Sequence, residues 1–302
     1  MTFYSFTGAI EQGLVFGLMA LGVFITFRVL DFPDLTVDGS LPLGAAVSAV
    51  LITKGYNPWF SLGPAMLAGF VAGMITGILT TKLKILHLLA SILTMTALYS
   101  INIRVMGGRP NLSLINSTTV FDPLRGVVDK LGINPWLTSS ILFLFLASVV
   151  VIFIIWLLRT EFGQALLATG DNPGMITSLG VNTHFTIVMG VGLSNALVAL
   201  CGALTAQNQG AAEVGMGVGT IVAGLASIVV GETIFGTRRL TVRIISAVLG
   251  SVIYRLAIAV ALSVDIFTPS DLKLITTILV IVALCMPRIK DHFRNRGNRS
   301  NA

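Results

Sequence analysis

The sequence predicts an all-α polytopic membrane protein of about nine transmembrane helices, several of them short or broken. Three observations carry this expectation. Of 302 residues, 55% are hydrophobic and only 11% are charged, against roughly 25% charged in ordinary globular chains. Apolar runs long enough to cross a bilayer recur along the length of the chain. The 31 glycines suit helices that pack closely in lipid and would weaken helices in water. The formal charge of +6 does not point to nucleic acid, because the cations are scattered singly until Arg288, Lys290, Arg294, Arg296 and Arg299 cluster at the C-terminal end. That is the pattern of a membrane flank. Cys201 and Cys285 both lie in apolar runs, which argues for small core residues and against a disulfide framework or thiolate metal site.

Apolar stretches of about 17 to 25 residues fall at 8–28, 58–81, 86–106, 138–158, 184–206, 241–263 and 271–287. Two shorter, glycine-richer segments lie at 40–53 and 217–236. No Lys or Arg precedes Arg28 and the first run is long enough to span, so it is expected to stay in the mature protein rather than be removed as a signal. An odd number of crossings puts the termini on opposite sides. With the C-terminus in the cytoplasm, the inner flanks collect Arg28, Lys82, Lys84, Arg159, Arg238, Arg239, Arg243 and the five tail cations, while Lys54, Arg104, Arg109, Arg125, Lys130 and Lys273 fall outside. The asymmetry predicts an N-out, C-in topology. The chain then divides as one membrane domain, 1–302: a first helical half at 8–106, an outer loop at 107–137 with a short helix expected near Leu124 to Leu131, a second half at 138–287, and a basic cytoplasmic tail at 288–302. A long helix, a polar break and a short helix occur in order at 8–53 and again at 184–236, a weak echo of the repeated halves found in many transporters.

The first break reads Arg28-Val-Leu-Asp-Phe-Pro-Asp-Leu-Thr-Val-Asp-Gly-Ser-Leu-Pro-Leu-Gly44. Pro33 and Pro42 each remove a backbone donor, so a continuous helix is not expected to run through it. Backbone freed at membrane depth is tolerated only against protein or a water-filled cavity. Two readings stay open: Asp31, Asp34 and Asp38 are solvated loop charges or caps, with Asp38 as N-cap of the next helix, or residues 31–40 border a wet pathway. On the second reading Asp34, Thr36, Asp38 and Ser40 are the candidate translocation residues.

Between the fifth and sixth spans, residues 159–183 read as two short helices. The first is expected near 161–169, ending at Gly170; the second takes Asn172 as N-cap and Pro173 as first residue and closes at Gly180. Phe162, Leu166, Leu167, Ile176 and Leu179 cannot all face lipid, so the pair is shaped either to press on a soluble partner or to lie in the headgroups. Four glycines, Gly215, Gly217, Gly219 and Gly224, have spacings that let a helix pack tightly on a neighbour.

The run Thr160-Glu-Phe-Gly-Gln-Ala-Leu…Gly-Asp-Asn-Pro…Leu-Gly-Val-Asn182 resembles the coupling-helix loop of permease subunits in the branched-chain amino acid permease family of bacterial ABC importers. Leu30-Asp-Phe-Pro-Asp-Leu-Thr-Val-Asp-Gly-Ser40 and the glycine-rich stretch Gly215 to Glu232 are similar to that family as well. The resemblance covers most of 8–287 and implies a type II ABC importer-like permease fold. It also implies a subunit that pairs with a second copy of itself, receives solute from an extracytoplasmic binding protein or lipoprotein, and is driven by cytoplasmic ATP-binding subunits. Glu161 and Phe162 become the implied ATPase-coupling residues. The wording of 27–40 is closer to a subgroup associated with aromatic amino acids or similar small organic molecules than to the branched-chain carriers. One departure stands out: many relatives carry a second glycine after Gly231, where this chain has Glu232.

No Gly-x-x-x-x-Gly-Lys-Ser/Thr occurs, so ATP is expected on partner subunits and no cofactor in this chain. His87, His184 and His292 are too far apart for a metal site. Within the spans, Arg255 should face a cavity or a partner such as Asp265, Asp271 or Glu213, or snorkel to the outer interface. Glu232 is expected to pair with Arg238 or Arg239. The alternative to an ATP-driven permease is a secondary transporter or channel, in which Asp31, Asp34, Asp38 and Arg255 would bind coupling ions.

Overall fold

The computed structural model describes residues 3–115, 117–122 and 138–263, and of the last stretch 274, 276–278 and 280–281. The expected helix near Leu124 to Leu131, the partners Asp265 and Asp271, Cys285, His292, the basic tail and the larger part of the ninth span lie outside the described residues.

Helix α1 runs Phe3–Phe24 and continues through one π turn, Ile25–Val29. After an extended break, α2 follows at Val37–Thr53, then α3 at Pro58–Thr81 and α4 at His87–Val105. A short strand β1, Asn111–Ser113, leads on. The second half begins with α5 at Thr138–Arg159 and the two short helices α6 (Glu161–Asp171) and α7 (Pro173–Ser178). The long α8 is Thr183–Gln209, followed by β2 at Ala211–Glu213 and a 3₁₀ turn at Val214–Gly217. Helices α9 (Thr220–Phe235) and α10 (Leu240–Leu262) complete the described elements. Eight of the expected spans are therefore found among the described residues. Seven elements are long and apolar enough to cross a membrane, and α2 is a shorter apolar helix.

The core is built around α1 and α8, which with the shorter α2 are buried nearly all round. Helices α2 and α3 pack on α8, α10 packs on α1, and α9 packs on α10. By contrast α3, α4 and α5 keep outward apolar rows, among them Leu67, Val71, Leu93, Phe145, Ile152 and Trp156. Such rows would be a liability in water and are what a hydrocarbon solvent requires. Close approach explains the glycines at the main crossings. A Cβ on Gly44 would lie 2.0 Å from the Ala199 carbonyl oxygen, and one on Gly202 would lie 1.9 Å from that of Leu41, so α2 and α8 touch backbone to backbone.

The break after α1 is shorter than expected. Only 30–36 is non-helical, and α2 starts at Val37 and runs on through Pro42. Proline at 42 leaves the carbonyl of Asp38 without its intrahelical donor, and the backbone of Gly217 fills that side: a Cβ there would come within 2.0 Å of the same oxygen. Part of the freed backbone of the break is satisfied by protein. Leu30 N–H donates to the Ile25 carbonyl at 3.0 Å and Phe32 N–H to that of Thr26 at 2.9 Å, while Asp31 takes the left-handed conformation at φ 51°. Asp38 is not the N-cap of α2, since the helix already begins one residue earlier, after Thr36.

Strands β1 and β2 form an antiparallel two-stranded ladder that pairs Asn111 with Glu213 and Ser113 with Ala211. It ties the connection after α4 to the break between α8 and α9. The echo between 8–53 and 184–236 holds architecturally: each half has a long central helix, a break and a shorter helix. The hairpin α6–α7 marks one end of the bundle and the β1–β2 ladder the other.

Candidate functional site

Three polar groupings sit inside this apolar frame. The first is a seam between the 30–40 segment and α8. Asn195 donates through Nδ2 to Asp34 Oδ2 at 2.7 Å, and Ser40 Oγ donates to Asn195 Oδ1 at 2.7 Å. Asp34 Oδ1 accepts from the Thr36 N–H at 2.9 Å, and the Thr36 and Thr76 hydroxyls lie 2.8 Å apart. Asp34, Thr36, Ser40 and Asn195 have no exposed surface in the single chain. An unpartnered polar group in hydrocarbon costs several kcal/mol, and a fully bonded network instead pins one arrangement of helices. The seam thus locks α2 to α8 and α3.

Asp38 does something different from its neighbours. Its Oδ2 accepts from the Gly219 N–H at 2.9 Å, and its Oδ1 accepts from the Ile221 N–H at 2.9 Å and the Thr220 hydroxyl at 3.0 Å. Gly219, at φ 80°, supplies no side chain to cap α9, so the carboxylate of Asp38 caps that helix from the other half of the chain. Negative charge at a helix N-terminus is favourable because it meets both free N–H groups and the helix dipole.

The second grouping lies at the hairpin end. Glu232, 7% exposed, accepts a hydrogen bond from Arg28 Nη2, and at 3.2 Å one from Arg243 Nε. The expectation that Glu232 pairs with Arg238 or Arg239 is corrected: those two lie past the end of α9 on the exposed turn, while α1 and α10 bring Arg28 and Arg243 to its flanks. Glu232 therefore has two cations placed to meet it. Glu232→Gln is expected to lower the thermal unfolding midpoint through a loss of about 1–2 kcal/mol, less than a fully buried pair because Arg28 is 42% and Arg243 27% exposed. Thermal melts of the detergent-solubilised chain at low and high salt would measure this, and an unchanged midpoint would show that the cluster contributes nothing.

The hairpin itself is built by its caps. Thr160 Oγ1 accepts from the Gly163 N–H at 3.3 Å, Asn172 Oδ1 from the Met175 N–H at 3.0 Å, and Asn182 Oδ1 from the Phe185 N–H at 3.1 Å. Helix α6 extends to Asp171, past the stop expected at Gly170. Gly170 is a packing glycine, since a Cβ there would sit 1.9 Å from the Val29 carbonyl oxygen. Leu166 is buried and Phe162 half-buried, whereas Glu161 is exposed. Helix α7 has no buried residue, and Met175 and Leu179 are 62% and 67% exposed.

The third grouping lines an open cavity of about 380 Å³ between α1, the start of α9, α10 and the last described helical residues. Arg255 lies in it, its guanidinium 3.7 Å from the centroid of the Phe16 ring, with Gln12 Oε1 3.5 Å from Nη1. Among the described residues no carboxylate forms an ion pair with Arg255, and Glu213 stands at the end of β2 with its carboxylate beside Gly215. Of the four glycines singled out, Gly219 lines this cavity, Gly217 touches Asp38, Gly224 faces Met19 and Val23 of α1, and Gly215 contacts only its own turn. Neither Asn195 nor Arg255's neighbour Tyr254 was singled out by the sequence reading. A carboxamide inside an otherwise apolar span was the available signal for Asn195. Among the described residues no group of His, Cys, Asp and Glu could hold a metal ion.

Comparison with known proteins places this arrangement. Residues 5–284 match the family described as branched-chain amino acid transport system, permease component. The chain is 40% identical over 273 residues to the tyrosine transport system permease protein of Clostridioides difficile strain R20291, covering 90% of this chain and 88% of the relative. It is 28% identical over 216 residues to the autoinducer 2 import system permease protein LsrC of Escherichia coli, covering 71% and 59% of the two chains. Among solved structures, PsaBC from Streptococcus pneumoniae in complex with Fab shares the fold, with a TM-score of 0.53 at 16% identity over 91% of this chain and 89% of that one.

Proposed function

We propose the role of this chain from its family: it belongs to the permease components of branched-chain amino acid transport systems, and it forms the membrane pathway of an ATP-driven importer of a small organic solute. The hairpin carries this reading. Helix α6 is seated on the end of α1 through Gly170 and on α8 through Leu166, while α7 is displayed with Met175 and Leu179 uncovered. An apolar step held rigidly on the membrane domain is what a soluble motor subunit needs in order to push or pull on helices. The hairpin end then faces the cytoplasm, with the N-terminus outside and the C-terminus inside, and Glu161 and Phe162 flank the contact with an ATP-binding subunit. ATP stays on that partner.

Two copies of the chain meet to enclose the pathway, and an extracytoplasmic binding protein delivers the solute at the ladder end. The 40% identity to a tyrosine transport permease supports an amino acid as the cargo, and an aromatic one before others. Asp34, Thr36, Asp38 and Ser40 act as wall supports: the seam fixes α2, and Asp38 fixes the start of α9, whose residues Gly219 and Thr220 line the cavity.

Met175→Asp combined with Leu179→Asp is expected to abolish co-purification of the ATP-binding subunit, since two charges would have to be buried at the contact. The variant should fold normally because neither side chain packs in the chain. Retained ATPase association, measured by affinity capture of the co-expressed complex, would remove the coupling role of α7.

A further inference from the structure

At the hairpin end of the bundle, arginines outnumber the acids that meet them. Arg28 engages Glu232 through Nη2 and Arg243 engages it through Nε, so two guanidinium groups share one carboxylate. Among the described residues no acceptor meets Nε and Nη1 of Arg28 or the two terminal nitrogens of Arg243. Both side chains reach solvent, and Arg243 is held further by the Phe24 ring, whose centroid lies 5.6 Å from its guanidinium carbon. Arg239 immediately precedes α10 and stands one turn before Arg243, whose N–H donates to its carbonyl at 3.0 Å. Arg238 is its neighbour. Both are exposed, and neither forms an ion pair among the described residues.

The surplus is local. Four arginines gather around one carboxylate here, whereas the other exposed charges described at this end balance, Lys82, Lys84 and Arg159 against Asp31, Glu161 and Asp171. Asp34 is buried and bonded within the seam. The first turn of α10 adds to the positive field, because it carries no acid and no side chain caps it. In sequence the tail at 288–302 is cationic as well, five basic residues against Asp291. Like charges gathered in this way repel one another, and they sit where α1, α9 and α10 end, at the level where a bilayer presents its headgroups. Ile234 and Phe235, which close α9 beside the cluster, are exposed apolar side chains.

We propose that this corner is a binding site for an anionic phospholipid, its phosphodiester held by Arg238 and Arg239 together with the unused nitrogens of Arg28 and Arg243, and its acyl chains against Ile234 and Phe235. A guanidinium presents paired N–H groups that match two non-bridging phosphate oxygens. Basic groups gathered between spans at a membrane face recognise an acidic headgroup, whereas a zwitterionic lipid brings its own cation, which the same cluster repels. Glu232 sets the geometry: by tying Arg28 and Arg243 together it holds two of the four cations in place before the lipid arrives, which lowers the ordering cost of binding. The site requires only that the helices span a bilayer, and it is independent of what the chain transports.

The test is lipid retention by the full chain, transferred from nanodiscs of equal parts phosphatidylcholine and phosphatidylglycerol into detergent and weighed by native mass spectrometry. Phosphatidylglycerol is expected to be retained in preference to phosphatidylcholine. Arg238→Gln combined with Arg239→Gln should lower that retention about tenfold, and Arg238→Lys combined with Arg239→Lys should keep the larger part of it. Lys82→Gln combined with Lys84→Gln is the control for diffuse attraction, since these cations lie at the same end but outside the cluster, and it should retain the lipid as the parent does. Both arginine side chains are exposed and unpaired, so the variants should elute like the parent on size exclusion; the comparison of the two lipids on the parent chain judges the proposal even if a variant fails to fold. Equal retention of the two lipids, unchanged retention in the glutamine pair, or an equal loss in the lysine control would overturn it. So would displacement of the lipid from the parent by inorganic phosphate, which would make the site one for a soluble anion. Retained lipid in the glutamine pair together with loss of the co-expressed ATP-binding subunit would overturn it too, and would give the arginines to a protein contact.

Discussion

Gly44→Ala and Gly202→Ala, each adding a single methyl group, are expected to abolish recovery of a folded, monodisperse chain. In an open helix the same change is stabilising by about 1 kcal/mol, because glycine is the poorer helix former. Here the added carbon would stand 2.0 Å from the Ala199 oxygen in one case and 1.9 Å from the Leu41 oxygen in the other. These are backbone atoms of central helices, with no side-chain rotation available to relieve the contact. Overpacking of a tight core costs about 1–3 kcal/mol or more, and separating α2 from α8 would also break the Ser40–Asn195–Asp34 seam. The steric term wins over the propensity term. Gly63→Ala is the matched control: it lies in α3 with open space around the added carbon and should be neutral or mildly stabilising. Size-exclusion profiles and thermal melts of the three variants would decide, and equal behaviour of Gly44→Ala and Gly63→Ala would refute the backbone crossing.

Asp38→Ala should destabilise the chain by about 2–4 kcal/mol. It deletes a charged cap and leaves the Gly219 and Ile221 amides without their acceptor. A lost cap accounts for about 1 kcal/mol, and the part-buried Ile221 amide left unpaired adds about 1–3 kcal/mol, whereas the exposed Gly219 amide can turn to water. Asp38→Asn keeps one acceptor oxygen and should fall between wild type and alanine, whereas Asp38→Glu moves the carboxylate by one methylene and should resemble the alanine variant. The ordering Asn milder than Ala, read from melting temperatures and from transport by the reconstituted complex, is the signature of a cap. Equal loss in both would mean that charge alone matters.

Much of this fold was readable from residue order. Spans announce themselves by length and hydropathy, and the α6–α7 hairpin by short-range chemistry: Asn172 followed by Pro173, with Gly180 at φ 87° closing the turn. What escaped is what depends on distant partners. Asp38 looked like the cap of its own helix because that is the local rule, yet its acceptor oxygens serve a helix that begins 182 residues later. Glu232 sits near Arg238 and Arg239 in sequence, but Arg28, 204 residues away, reaches it in space. The ladder of β1 and β2 has three residues per strand, too few for alternation to register. Of the candidate residues, Asp34, Thr36 and Ser40 are marked by their place in a polar break, and Asn195, which bonds both Asp34 and Ser40, emerges only from the folded chain.

The seat of Gly170 against Val29 has a mechanical corollary. From Val29 to Asp38 the chain is a tether of nine residues, and even fully extended it can reach no more than about 30–32 Å at 3.3–3.6 Å each. One end is held under the hairpin and the other clasps the start of α9. A shift of the hairpin relative to the bundle therefore draws on a leash of finite length, whose far end is anchored at the cavity wall.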